Sequence, residues 1–91
     1  MKDTKRLPKS KKVVAEVFYK PGCYYCDAAL KLLKEQGFSI RSENVSEVNN
    51  AEFTNYINSS TDQELATATV PQIMINKKYI GGYTELKDLL E

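Results

Sequence analysis

Residues 13–19, Val-Val-Ala-Glu-Val-Phe-Tyr, are β-branched or aromatic except at two positions, and Lys20-Pro21-Gly22 stops the run. Such a segment reads as a strand. Its mostly apolar make-up predicts burial on both faces, as at the centre of a sheet with helices packed on it. A helix follows at once. Over residues 24–36, Ala29, Leu30 and Leu33 share one face with Cys26 at its N-terminal end, while Lys31, Lys34 and Glu35 lie elsewhere. Gly37 stands where a C-terminal glycine cap belongs. Residues 38–45 alternate loosely and predict a second strand. A β-α-β start of this kind calls for a parallel strand pair with a right-handed crossover, which restricts the chain to α/β architectures.

The remainder extends that start. Val48, Ala51, Phe53, Tyr56 and Ile57 recur at helical spacing and predict a helix over residues 47–58, broken by Ser59-Ser60-Thr61, with a further helical turn over 62–66. Gln72 to Ile75 reads as a short strand after Pro71, Asn76-Lys77-Lys78 as a turn, and Tyr79-Ile80 as the start of a return strand that Gly81-Gly82 ends. Thr84 is the expected cap of a last helix whose buried stripe is Leu86, Leu89 and Leu90. The predicted order is β-α-β-α-β-β-α.

A chain of 91 residues makes one domain with a small core. Charge divides it. Residues 1–12 hold six basic residues against one acidic, a net of +5, and the rest nets −4. The N-terminal stretch reads as a flexible basic tail, an arm for nucleic acid or an acidic partner being the other reading. The domain proper spans residues 13–91. No apolar run reaches the roughly 18 residues of a membrane span, and no secretory signal pattern is visible, so the expected location is cytoplasmic.

The chain has two cysteines and no histidine. The lack of histidine excludes Ser-His and Cys-His nucleophile pairs, and a four-ligand Cys/His zinc site within one chain. Cys23 and Cys26 allow three readings. Half a metal site needs two further soft ligands from elsewhere. A structural disulfide would close too small a loop to stabilise the fold much. A redox pair is what the β-α-β context supports. Position gives the pair an order. Cys23 stands at the helix entry, where unpaired N–H groups and the positive end of the helix dipole favour a thiolate, with Lys20 able to add charge. Cys26 lies one turn further in and should attack only after Cys23 is held in a mixed disulfide.

Three blocks resemble the glutaredoxins: Lys20-Pro21-Gly22-Cys23-Tyr24-Tyr25-Cys26, Thr69-Val70-Pro71-Gln72-Ile73 and Gly81-Gly82-Tyr83-Thr84-Glu85-Leu86. Their order and intervals are similar to those of small dithiol glutaredoxins, over about residues 13–90. The resemblance implies a thioredoxin-like fold, a four-stranded mixed sheet flanked by helices. It also implies a glutathione site made by Lys20, Tyr25, Thr69, Val70, Pro71, Gly82, Tyr83, Thr84 and Glu85. In that site Val70-Pro71 would be a cis peptide presenting the Val70 backbone to a bound thiol peptide, whereas the residues alone favour a trans Pro opening a strand. Gly81-Gly82 would let backbone approach a ligand, the alternative being a plain turn. The start of the last helix would receive the γ-glutamyl carboxylate, and Glu85 stands where Asp is usual. Lys20 matches a basic residue near the glycyl carboxylate, its alternative being a solvated loop lysine. Tyr24 departs from the family pattern, which most often has Pro there.

The implied activity is glutathione-dependent thiol–disulfide exchange on protein disulfides and glutathione mixed disulfides, serving cell redox homeostasis. Glutathione would be the co-substrate, glutathione reductase the indirect electron source, and ribonucleotide reductase a client. A monomer is expected, without a metal, a membrane or nucleic acid. Two other functions remain open: a [2Fe–2S] carrier bridged by the first cysteine and glutathione, and a redoxin reduced by thioredoxin reductase.

Overall fold

In the computed structural model, which describes residues 13–91, the first strand takes the centre that its apolar run demands. Strand β1 (Val14–Tyr19) is followed by helix α1 (Tyr24–Glu35), strand β2 (Ser39–Asn44), helix α2 (Asn50–Thr61), strands β3 (Gln72–Ile75) and β4 (Lys78–Gly81), and helix α3 (Tyr83–Leu90). The sheet order is β2-β1-β3-β4. β1 runs parallel to β2, with Val14 opposite Ser39, and antiparallel to β3, with Val17 opposite Ile73. β3 and β4 form an antiparallel hairpin with an irregularity at Ile73/Met74. This is the predicted α/β element order and mixed sheet. Among the described residues no helix is long and apolar enough to cross a membrane.

Alternation along β1 sends its side chains to two cores. Ala15 and Val17 pack with Ala29 and Leu33 of α1, Ile73 of β3 and Leu86 of α3. Phe18 packs on the other face with Phe53 and Ile57 of α2, Met74 and Ala68. Helices therefore cover both faces, α1 and α3 on one and α2 on the other. Leu33, Ile57, Ile73, Leu86 and Val17 are fully buried, and each such side chain is worth about 1.5–3 kcal/mol against exposure.

Several boundaries differ from the sequence expectation. α1 ends at Glu35, with Gln36 as its C-cap and Gly37 at φ +86°, so the glycine cap is where the sequence put it. α2 is displaced to Asn50–Thr61 because Asn49, not an apolar residue, decides its start: Asn49 Oδ1 accepts the Glu52 N–H at 2.9 Å. Ser59, Ser60 and Thr61 do not break it. Thr61 Oγ1 bonds back to the Ile57 carbonyl, and the helix stops at Asp62, which is left-handed at φ +60°. No helical turn forms over 62–66. That segment is tied to α2 instead, Leu65 N–H donating to Asn58 Oδ1 and Asn58 Nδ2 to the Leu65 carbonyl. Val48 and Tyr56, expected in the α2 stripe, are exposed, with Tyr56 laying its ring edge-on to Phe18. α3 is capped by Gly82 and not by Thr84, which lies inside the helix. Leu89 is exposed, leaving Leu86 as the buried anchor and Leu90 partly buried beside it. The basic tail lies outside the described residues.

Candidate active site

Cys23 is the N-cap of α1. Its backbone is extended (φ −93°, ψ +114°), and its Sγ accepts the Cys26 N–H at 3.1 Å. Sulfur here does what a Ser or Asp oxygen does at most helix starts. The bond aims an orphan N–H of the helix at the Cys23 sulfur. On the other side the Cys23 thiol points at the Val70 carbonyl, 4.0 Å away. Cys23 is half-exposed, whereas Cys26 is fully buried, and both are free thiols. Burial pushes the Cys26 thiol up from 9.0 to about 12, reinforced by its hydrogen bond to Cys23 and opposed by a backbone bond from Lys20. Cys26 is thus a protonated reserve at neutral pH.

The Val70–Pro71 bond is cis, as the resemblance implied and against the trans bond that the residues alone favoured. The loop before β3 lies against the start of α3. Tyr25, Thr69, Val70, Pro71, Gly82, Tyr83, Thr84 and Glu85 line one groove of about 180 Å³. These are all the residues expected at the glutathione site except Lys20, which is not among the lining residues and whose backbone bonds to the Cys26 thiol. A larger cavity of about 480 Å³ lies between β2 and α2, lined by Phe18, Val45, Phe53 and Tyr56 among others. Neither cavity is lined by a cysteine, but of the two only the smaller includes Val70, whose carbonyl faces the Cys23 thiol, so contact with the cysteine and not size marks the candidate site.

Comparison with known proteins agrees with this geometry. A family model described as glutaredoxin matches residues 15–80. The chain belongs to the glutaredoxin family. It is 32% identical to a probable glutaredoxin of Acanthamoeba polyphaga mimivirus, over 82% of this chain and 76% of the relative. Its fold is similar to glutaredoxin 1 from Francisella tularensis, solved complexed with cacodylate (28% identity, TM-score 0.74, covering 86% of this chain and 92% of that one). It is also similar to a buckwheat glutaredoxin solved as a glutathione complex (25% identity, TM-score 0.64, covering 81% and 64%). The protein is accordingly a thiol–disulfide oxidoreductase with the thioredoxin-like fold.

Within this family site the α3 start has a particular build. Glu85 folds back so that its Oε1 accepts the Gly82 N–H at 2.9 Å. Gly81 is buried at φ +121°, and a Cβ on it would come within 3.1 Å of Glu85 Cγ and Oε1. The Gly81 hydrogen therefore makes room for this chain's own Glu85 carboxylate, where the resemblance implied room for a ligand. Sequence reasoning also missed a polar strut under the cis-Pro loop. Gln72 Nε2 donates to the Thr69 carbonyl at 2.7 Å, and Tyr79 O–H donates to Gln72 Oε1 at 2.7 Å. Burial and the nearby Glu85 charge push the Tyr79 hydroxyl above its ordinary value, so it stays a donor. One signal was readable: a Gln opening an otherwise apolar strand needs internal partners.

Proposed function

We propose that the protein reduces protein disulfides and glutathione mixed disulfides at the expense of glutathione. The observation that carries this reading is the groove joining Thr69–Pro71 to Gly82–Glu85 directly beside Cys23. It offers backbone groups of Val70 to an extended peptide, as a strand edge would, and the N–H groups of Tyr83 and Thr84 to a carboxylate at the α3 start. The glutathione complex of the buckwheat relative supports the same assignment.

In the chemistry proposed, the Cys23 thiolate attacks the glutathione sulfur of a mixed disulfide. The new S–S bond joins Cys23 to glutathione, the old one breaks, and the client leaves as a thiolate that takes a proton from water. A second glutathione attacks this intermediate through its sulfur, releasing oxidised glutathione and restoring Cys23. With a protein disulfide, Cys23 first bonds to one client sulfur as the client's S–S bond breaks and its other sulfur leaves as a thiolate that takes a proton from water. Cys26 then attacks Cys23, the Cys23–client bond breaks, and the departing client thiolate takes up the Cys26 proton; two glutathione molecules reduce the resulting Cys23–Cys26 disulfide and leave as oxidised glutathione. Burial of Cys26 keeps it out of the first step; it is needed for protein disulfides, and glutathione takes its place on glutathione mixed disulfides.

The test is turnover of a glutathionylated peptide with glutathione, glutathione reductase and NADPH. Wild type should consume NADPH, Cys23→Ser should not, and Cys26→Ser should retain the reaction while losing reduction of protein disulfides. A folded wild type without NADPH consumption overturns the reading. Equal losses in both variants overturn the roles assigned to the cysteines.

A further inference from the structure

Thr69 and Val70 share one trans peptide unit; the cis bond is the next one along. In a trans unit the C=O and the N–H point in opposite directions across a rigid plane. Whatever holds the Thr69 carbonyl therefore aims the Val70 N–H. That holder is the Gln72 side chain, whose Nε2 donates to the Thr69 carbonyl at 2.7 Å. Gln72 is buried, and it opens β3. Ile73 after it belongs to the core under α1 and α3, so strand alternation turns Gln72 to the α2 side with Met74. The Val70 N–H is thus directed away from that buried side, toward the groove that Thr69 and Val70 line.

A side-chain amide can present either end, and Tyr79 selects which. Its hydroxyl donates to Gln72 Oε1 at 2.7 Å, which leaves Nε2 for the Thr69 carbonyl. Turned over, the amide would set its oxygen against that carbonyl, two acceptors facing each other. Resting on the glutathione reading above, we infer that Gln72, oriented by Tyr79, is a positioning residue for the reaction: it aims the Val70 N–H at the backbone carbonyl beside the sulfur of bound glutathione. Neither Gln72 nor Tyr79 lines the groove, so both act through the peptide unit they hold. Donation to the Thr69 carbonyl also polarises that unit and strengthens the N–H at its other end. The sulfur chemistry is unchanged. Cys23 still bonds to the glutathione sulfur as the old S–S bond breaks, and the leaving thiolate takes a proton from water. The effect falls on substrates that carry a peptide carbonyl near the sulfur and spares those that carry none.

The experiment compares two disulfides in single turnovers with the reduced protein, following loss of free thiol by acid quench and mass spectrometry. One is the mixed disulfide of glutathione with 2-mercaptoethanol. The other is bis(2-hydroxyethyl) disulfide, which has no backbone to pair. Wild type should react faster with the glutathione substrate. Gln72→Leu should slow that reaction about three- to tenfold, the worth of one hydrogen bond to the substrate, and hold the other within about twofold of wild type. Tyr79→Phe keeps the ring and frees the amide to turn over, so it should narrow the preference in the same direction. Where Gln72→Leu does not fold, Tyr79→Phe decides. A purely structural role would lower both rates together. That pattern, or an unchanged preference in both folded variants, overturns the inference alone. A wild type no faster on the glutathione substrate than on bis(2-hydroxyethyl) disulfide overturns the glutathione reading, and the inference with it.

Discussion

Replacing Thr54 by Val removes a hydroxyl and keeps the shape of the side chain. Thr54 is buried on α2, where its Oγ1 donates to the Asn50 carbonyl at 2.8 Å and accepts the Ala68 N–H at 2.9 Å. Asn50 is exposed, so water can serve its carbonyl after the change. Ala68 is 1% exposed, and its N–H has no such substitute. Valine is β-branched like threonine and leaves no cavity, so neither helix propensity nor packing should contribute much. The cost is that of one buried N–H left without an acceptor, about 1–3 kcal/mol. For a domain of this size that lowers Tm by roughly 5–15 °C. Ala68 directly precedes Thr69-Val70-Pro71, so the loop that borders Cys23 should loosen as well and kcat/KM should fall. Urea unfolding of the reduced protein gives the first number, and amide hydrogen exchange at Ala68 locates it. Thr54→Ser, which keeps both bonds, should hold the Ala68 amide protected. Stability within about 0.5 kcal/mol of wild type for Thr54→Val, or an unchanged Ala68 exchange rate, would refute the reasoning.

Four further outcomes test other parts of the structure. At pH 8 iodoacetamide should modify Cys23 well before Cys26, which is buried and holds its proton to about pH 12; a peptide map with equal labelling contradicts this. The same shift bears on stability. The unfolded thiol releases its proton near 9.0 and the folded one near 12, so the reduced fold should lose stability as pH rises through that window, and less so in Cys26→Ser. Gly81→Ala should cost about 1–3 kcal/mol, because alanine is strained at that φ and its Cβ displaces Glu85; in Gly37, where nothing lies near an added Cβ, the same change should cost about 1 kcal/mol. Gln72→Leu and Tyr79→Phe, measured singly and together in urea, should show a coupling of about 0.5–1.5 kcal/mol from their shared hydrogen bond, and strict additivity argues against the strut.

Local signals carried far in this chain. The apolar run before Lys20 placed β1 at the sheet centre, and the turn chemistry of Asn76-Lys77 placed the hairpin, both of those residues having positive φ in the structure. Helix ends were less readable. α2 begins where the Asn49 side chain accepts an N–H and runs through a Ser-Ser-Thr stretch, because Thr61 bonds back to its own helix and β-turn composition alone does not stop it. The apolar stripes were overdrawn for a related reason. Periodicity gives a face, but how much of that face meets the sheet depends on where the helix is docked, and Tyr56 and Leu89 fall beyond the contact.

The sequence by itself determined the spacing of Cys23 and Cys26, their place at a helix start and the blocks that carry the family resemblance, because these are properties of adjacent residues. It could not determine what those blocks do to one another. Only the tertiary structure brought Val70 to the thiol of Cys23, 47 positions away, turned Glu85 onto Gly82, and set Gln72 and Tyr79 beneath the cis-Pro loop. Such contacts arise from packing two helical layers on one sheet. A residue's partner is then fixed by register and docking across the fold, which no local pattern encodes.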